Sequence, residues 1–239
     1  MGIADDIQSA VTTIASANWD IRTGKVVPRT EDVTLKNGAV QLDAVYLYAD
    51  MADSTGLARE FPPKTAAKVV RCYLDAVCRV IRARGGEIRS FDGDRVMAIF
   101  VGESRYDAAA KCALQINYVV KEIVRPTVER NLPSLVTKGW QLKHCTGIAS
   151  GSALVVRGGV RMNNSDLVSI GRAPNVAAKL SDVRAHPYNT YITAEVYDGM
   201  GYDVSYGGKN RDSMWEGPFG REVGGEEITI YKSSWQWKP

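Results

Sequence analysis

The sequence predicts an α+β domain with a ferredoxin-like βαββαβ core and C-terminal additions, and three observations carry that expectation. Short apolar runs typical of buried strands alternate with two long segments of helical period, in the order β-α-β-β-α-β. An Asp-Gly dipeptide between two apolar runs, Asp92-Gly93, marks a hairpin in the middle of that order. Apolar residues make up 45% of the 239-residue chain, enough to fill a core.

Residues 5–20 read as a short helix with Ile7, Val11, Ile14 and Ala15 on one face. Residues 21–40 mix Gly24, Pro28, Asn37 and Gly38 with charges and read as a connecting segment. The expected organisation is an N-terminal helix and connector over residues 1–42 and one domain over residues 43–239. Ala44–Ala49 is a strand, and 50-DMADSTG-56 is a turn. Pro62–Arg84 is a long helix that stops at Gly85-Gly86. Glu87–Phe91 and Arg95–Val101 are the strands of the Asp-Gly hairpin. Ser104–Arg130 is helical, with Pro126 as the place where it can break. His144–Ser150 and Ala153–Val156 read as a second strand pair around Gly151-Ser152. Leu167–Ile170 is a strand, followed by a helix from Pro174 to about Val183. Tyr191–Thr193 and Ile228–Tyr231 are further strands, and residues 201–225 read as a long loop or flap.

The net charge of +3 is spread along the chain, and no basic arm interleaved with aromatics is present. No nucleic-acid partner is expected, while a small anionic substrate stays open. Met1–Asp20 has no basic head, and no apolar run approaches bilayer length. The expectation is a cytoplasmic protein without a membrane partner. Cys72, Cys78, Cys112 and Cys145 show no CxxC spacing and read as reduced, buried thiols. With only His144 and His186 to complement them, a zinc site is disfavoured.

Asp50 ends the first strand and Asp94 begins the strand after the Asp-Gly turn. In a ferredoxin-like sheet these strands lie side by side, so the two carboxylates can meet. Hard oxygen ligands of this kind suit Mg²⁺ or Mn²⁺, and two such ions can clamp a phosphoryl group. The competing reading is two turn aspartates with no metal, because Asp is a favoured turn residue. The loop 50–56 is small and hydroxyl-rich, and Ser54 and Thr55 with its backbone N–H groups suit phosphate binding. Asn175 and Lys179 are four apart on one helix face. An amide and a cation so placed can orient a ribose and neutralise phosphate charge, or they form a solvated face.

The strings 46-YLYADMADST-55, 90-SFDGDRVMAIF-100, 147-GIASGSALVVRGG-159 and 169-SIGRAPNVAAKL-180 resemble, in order, the four signature segments of class III adenylate and guanylate cyclases. The resemblance covers residues 43–232. It implies that Asp50 and Asp94 bind two divalent metal ions and that Asn175 positions the ribose. Lys179 stands where the family usually has an arginine that stabilises the transition state. Lysine keeps the charge but loses the planar fork, which leaves Arg172 and Arg184 as neighbours able to take that role. Arg221 is a loose match to the triphosphate-binding lysine. Ser90 occupies the position of the family's base-reading lysine or glutamate, and Val168 falls at or beside its partner position. Neither offers the usual purine contacts. Tyr48, on the same strand face as Asp50, is a candidate for narrowing the pocket.

The whole chain is similar to the pyrimidine cyclases of the bacterial Pycsar antiphage system, most of all to the uridylate cyclases. That likeness implies a homodimer with two shared active sites. It also implies conversion of a pyrimidine triphosphate, UTP foremost, to its 3′,5′-cyclic monophosphate and pyrophosphate. The product would act on a separate cyclic-nucleotide effector. The alternatives are a purine cyclase of the same family and a catalytically dead nucleotide-binding domain. A diguanylate cyclase or polymerase is disfavoured because the hairpin reads FDGDR rather than GG[DE]EF.

Overall fold

The computed structural model describes residues 2–159 and 165–239. The chain begins with helix α1 (Ile3–Ser16), strand β1 (Asp20–Gly24) and a 3-10 turn, Thr30–Asp32. Strand β2 (Gly38–Met51) leads into α2 (Ser54–Glu60) and α3 (Pro63–Ala83). The hairpin of β3 (Glu87–Asp92) and β4 (Arg95–Phe100) precedes α4 (Arg105–Tyr118), a π-helical stretch (Val119–Val124), α5 (Arg125–Asn131) and α6 (Ser134–Thr137). Then come β5 (His144–Gly159), β6 (Ser165–Ile170), α7 (Arg172–Ser181), β7 (Thr190–Thr193), α8 (Ala194–Gly199) and α9 (Tyr202–Ser205). The short strands β8 (Tyr206–Gly207) and β9 (Asp212–Ser213) and the hairpin of β10 (Glu216–Val223) and β11 (Glu226–Ser233) end the fold.

The expected core is present: β5, β2, β4 and β3 lie side by side in that order, each antiparallel to its neighbour. Strands β7, β11 and β10 extend the sheet beyond β5, while β1 pairs with the start of β2 and β6 with the end of β5. Alternation along β2 explains its apolar run. Val45, Leu47, Ala49 and Met51 pack into the core shared with α3 and α4. Leu42, Ala44 and Tyr46 pack on the other face, under Ala173, Val176, Ala177 and Leu180 of α7. A strand buried on both faces reads as continuously apolar rather than alternating. The same register puts Tyr48 and Asp50 on the α7 face. Helix α3 buries Val69, Tyr73, Val77, Val80 and Ile81, one stripe at helical spacing. Each such side chain contributes about 1.5–3 kcal/mol on burial. Gly85, at φ +74°, ends the helix where the chain needs a left-handed residue.

Several expectations need correction. The second strand pair around Gly151-Ser152 is one strand, β5, which pairs with β2 without reversing from His144 to Val156. Gly151, at φ +155°, stays in register opposite Ala44 instead of turning the chain. Residues 201–225 are not a long loop, because they hold α9, β8, β9 and β10. The helix around Pro126 does not break: the π-helical stretch precedes it, and Pro126 falls in the first turn of α5, where a missing N–H costs little. Asp94 lies in the turn, one residue before β4. Cys72 is exposed and Cys78 half-buried on α3, so only Cys112 and Cys145 are buried thiols. Residues 21–40, read as a connecting segment, supply most of β1 and the start of β2 and place Val33 and Val40 in the core. The apolar face of α1 is exposed.

Helix α7 lies directly on β5. A Cβ added to Gly147 would stand 2.2 Å from the Ala177 carbonyl oxygen and 2.4 Å from the Ser181 nitrogen. At the other end of the helix, a Cβ on Gly171 would stand 2.8 Å from the Ala153 Cβ. Gly147→Ala is therefore expected to lift the C-terminal half of α7 and destabilise the fold by about 1–3 kcal/mol. Thermal unfolding checks this: the midpoint should fall by about 2–4 °C per kcal/mol, and an unchanged melt would contradict the close packing.

Candidate active site

Two cross-strand rows cross the sheet on the face that α7 covers in part. The first runs Ser90, Met97, Tyr48, Gly147 from β3 through β4 and β2 to β5. The second runs Asp92, Arg95, Asp50, Cys145 in the same order. Because Asp94 immediately precedes Arg95, the partner of Asp50, the hairpin brings the two carboxylates together despite their separation in sequence. Asp50 is 14% exposed at its side chain. Burial holds its carboxyl above the ordinary range, the negative charge of Asp94 pushes the same way, and hydrogen bonding to Arg184 opposes them. One Asp94 oxygen, Oδ2, is buried with no hydrogen-bond partner. A buried carboxylate oxygen without a donor is costly and is suited to a cation.

The surroundings are a web of charge. Arg184 donates to Asp50 Oδ2 and, through its other terminal nitrogen, to the carbonyls of Ser181 and Val183 at 2.6 and 3.1 Å. Arg95 donates to Asp92 at 2.9 Å and Asp182 at 3.3 Å, and its guanidinium stands 5.7 Å from the centre of the Tyr48 ring. That distance is within cation–π range.

The remaining sequence-predicted residues fall in two clefts and on three strands. Ser54 and Thr55 line a cleft of about 600 Å³ together with Gly93 and Asp94. Asp53 adopts a left-handed conformation, φ 60°, and its carboxylate accepts from the Gly56 N–H at 3.2 Å, which fixes this turn. Asn175 and Lys179 line a second cleft of about 550 Å³ with Arg95, Arg172, Asp182 and Glu226. Among the described residues no hydrogen bond or ion pair joins Asn175 or Lys179 to Asp50 or Asp94. Arg172 is tied to Glu226 at 2.7 Å. Arg221 shares a strand face with Val223, which packs in the core beside α7, and its charge acts on Cys145 and Tyr191. Ser90 sits at a bulge in β3 with its hydroxyl 3.7 Å from the Met97 sulfur. Val168 is 49% exposed on β6, a strand tied to β3 by Arg89 and Asp166 at 3.4 Å.

Met97, Arg95 and Asp182 were not among the candidates from sequence. Arg95 carried a signal, its place beside Asp94 in FDGDR. Met97 looked like any core residue, and Asp182 like any helix-end charge.

The donor set fits divalent cations. Two carboxylates stand together, and among the described residues no group of three His, Cys, Asp or Glu side chains is placed to hold a metal alone. Mg²⁺ and Mn²⁺ bound through one or two carboxylates complete their shells with water and substrate phosphates. The residues present therefore suit a cation that arrives with a nucleoside triphosphate.

No helix among the described residues is long and apolar enough to cross a membrane. No protein-family model matches the chain. A uridylate cyclase of Rhodovulum sp. (strain MB263) is 44% identical over 239 residues, which is 100% of this chain and 99% of that protein. A uridylate cyclase of Xanthomonas perforans is 37% identical over 239 residues, with the same coverage of both. Among solved structures, a bacterial light-regulated adenylyl cyclase superposes with a TM-score of 0.69 at 26% identity, covering 83% of this chain and 53% of that one. The fold is that of the class III nucleotidyl cyclases, and the chain belongs to the uridylate cyclase family.

Proposed function

We propose that the protein converts UTP to 3′,5′-cyclic UMP and pyrophosphate at a site built around Asp50 and Asp94. The observation that carries this is the neighbouring carboxylates of Asp50, near the end of β2, and Asp94, in the turn that leads into β4, one with a buried oxygen that lacks a donor. The full-length likeness to uridylate cyclases supports it. Bound at these carboxylates, two Mn²⁺ or Mg²⁺ ions would lower the pKa of the 3′-hydroxyl and offset the charge of the triphosphate. The chain's own task is positioning and charge neutralisation, as in other phosphoryl transfers. Asp50 and Asp94 hold the cations. Ser54 and Thr55 face the phosphates from their cleft. Asn175 orients the ribose so that its 3′-hydroxyl lies in line with the α-phosphorus. Lys179 neutralises charge that develops there, and Arg221 receives the outer phosphates.

The base lies against the row of Tyr48, Met97 and Ser90, with Val168 at its far side. None of these carries a charge that would demand a purine edge. A pyrimidine is the smaller ring, and the bulk of Tyr48 and Met97 limits the depth available. The site is shared in a homodimer: Asp50 and Asp94 of one subunit act with Asn175 and Lys179 of the other. Among the described residues no hydrogen bond or ion pair joins these pairs within one chain, which supports that division. In the cytoplasm, the cyclic nucleotide would signal to a separate effector in antiphage defence.

Asp50→Ala or Asp94→Ala is expected to cut turnover on the order of 10³-fold or more while the protein stays folded. Near-normal turnover in either variant, at an unchanged melt, would overturn the cation assignment. Incubation of pure protein with each of the four nucleoside triphosphates and Mn²⁺, with products resolved by mass, should give cyclic UMP fastest. Faster cyclisation of ATP or GTP would contradict the base assignment. Mixing Asp50→Ala with Asn175→Ala should restore roughly a quarter of wild-type activity, since half of the dimers are mixed and each gains one undamaged site. Activity no greater than the sum of the separate variants, once exchange is verified with differently tagged chains, would place each site within one subunit.

A further inference from the structure

Arg184 is held more firmly than its surface position requires. One terminal nitrogen is fixed by two backbone carbonyls at 2.6 and 3.1 Å, and the other is bonded to Asp50 Oδ2. The side chain of Arg184 is 39% exposed and that of Asp50 14%, so the pair sits at the edge of the site rather than in open solvent. Two neighbouring carboxylates repel each other, and the guanidinium offsets that repulsion on one of them. A divalent cation needs an oxygen of the same carboxylate. The planar, pre-oriented guanidinium is therefore a competitor for the ligand and not a bystander.

We infer that Arg184 is an internal counter-ion that a divalent cation must displace from Asp50. The inference rests on the reading of Asp50 as a cation ligand. Arg184 is a positioning residue: it holds the Asp50 carboxylate in place without metal and raises the cation concentration at which the site fills. Because its carbonyl anchors, Ser181 and Val183, are at and just beyond the end of α7, displacement also removes a tie between Asp50 and the helix that carries Asn175 and Lys179. Cation entry on one side of the chain is thereby coupled to the ribose-binding helix on the other.

The test is Mn²⁺ binding without nucleotide, read by electron paramagnetic resonance of free Mn²⁺ and by the Mn²⁺-induced rise in melting temperature. Arg184→Gln is expected to bind Mn²⁺ roughly tenfold more tightly than wild type, the scale of one charge-assisted hydrogen bond, and to show the larger rise in melting temperature. Arg184→Lys keeps the charge and should stay within about threefold of wild type. Adding Asp50→Asn to Arg184→Gln should remove the gain. If Arg184→Gln binds no more tightly than wild type while Asp50→Asn weakens binding, the counter-ion role is overturned and the cation assignment survives. A gain in Arg184→Lys equal to that in Arg184→Gln would also overturn it, because a loosened chain rather than a lost charge would then be responsible. If Asp50→Asn changes binding in neither background, or no protein binds Mn²⁺, the cation assignment itself fails.

Discussion

The geometry of the site depends on the contact between α7 and the bare backbone of Gly147. No side chain separates them, so the helix sits at the depth the sheet allows. Cys145, two residues earlier on the same face, donates from its thiol to the Leu180 carbonyl at 3.5 Å and holds the end of the helix. From that seat, Asn175 and Lys179 face one cleft, and the chain after the helix delivers Arg184 to Asp50. Gly147 is also the cross-strand neighbour of Tyr48. One missing Cβ thus sets the distance between the helix residues, the strand aromatic and the carboxylates. Close-packed interiors transmit such a change instead of absorbing it.

Charge is distributed to match. Asp50, Asp92, Asp94 and Asp182 face Arg95 and Arg184 across a small area. Without the arginines the site would be a cluster of like charges at the edge of a hydrophobic sheet. The two guanidiniums offset only two of the four carboxylates, and the unpaired oxygen of Asp94 is the point where further positive charge is favoured. In the proposed shared site, the partner subunit's Lys179 would bring positive charge against the triphosphate.

Most of the core was legible because its elements carry local signals. Pro at the start and paired glycines at the end framed α3, and Asp-Gly marked the β3–β4 hairpin. Asp50 and Asp94 were legible because strand order puts their ends together. What failed was non-local. Gly151-Ser152 has turn chemistry, yet β5 continues because thirteen successive residues of β2 pair with it. Residues 201–225 look polar and Gly-rich because β10 is an edge strand with one buried residue, Val223. The hold of Arg184 on Asp50 spans 134 residues and depends on the α7 seat, which no local pattern states. Cys72 resembled its buried neighbours because it lies on a helix whose opposite face is apolar.

The account's central claim is that Asp50 and Asp94 hold divalent cations against a pyrimidine triphosphate shared between two subunits. The most direct measurement is a crystal structure with Mn²⁺ and a non-cyclisable UTP analogue, with manganese located by anomalous scattering. The account predicts two anomalous peaks within bonding distance of the Asp50 and Asp94 carboxylates, the triphosphate between them, and the ribose at Asn175 of the opposite subunit. Arg184 should be detached from Asp50. Manganese bound elsewhere, or a nucleotide whose ribose and phosphates are held by one chain alone, would contradict it.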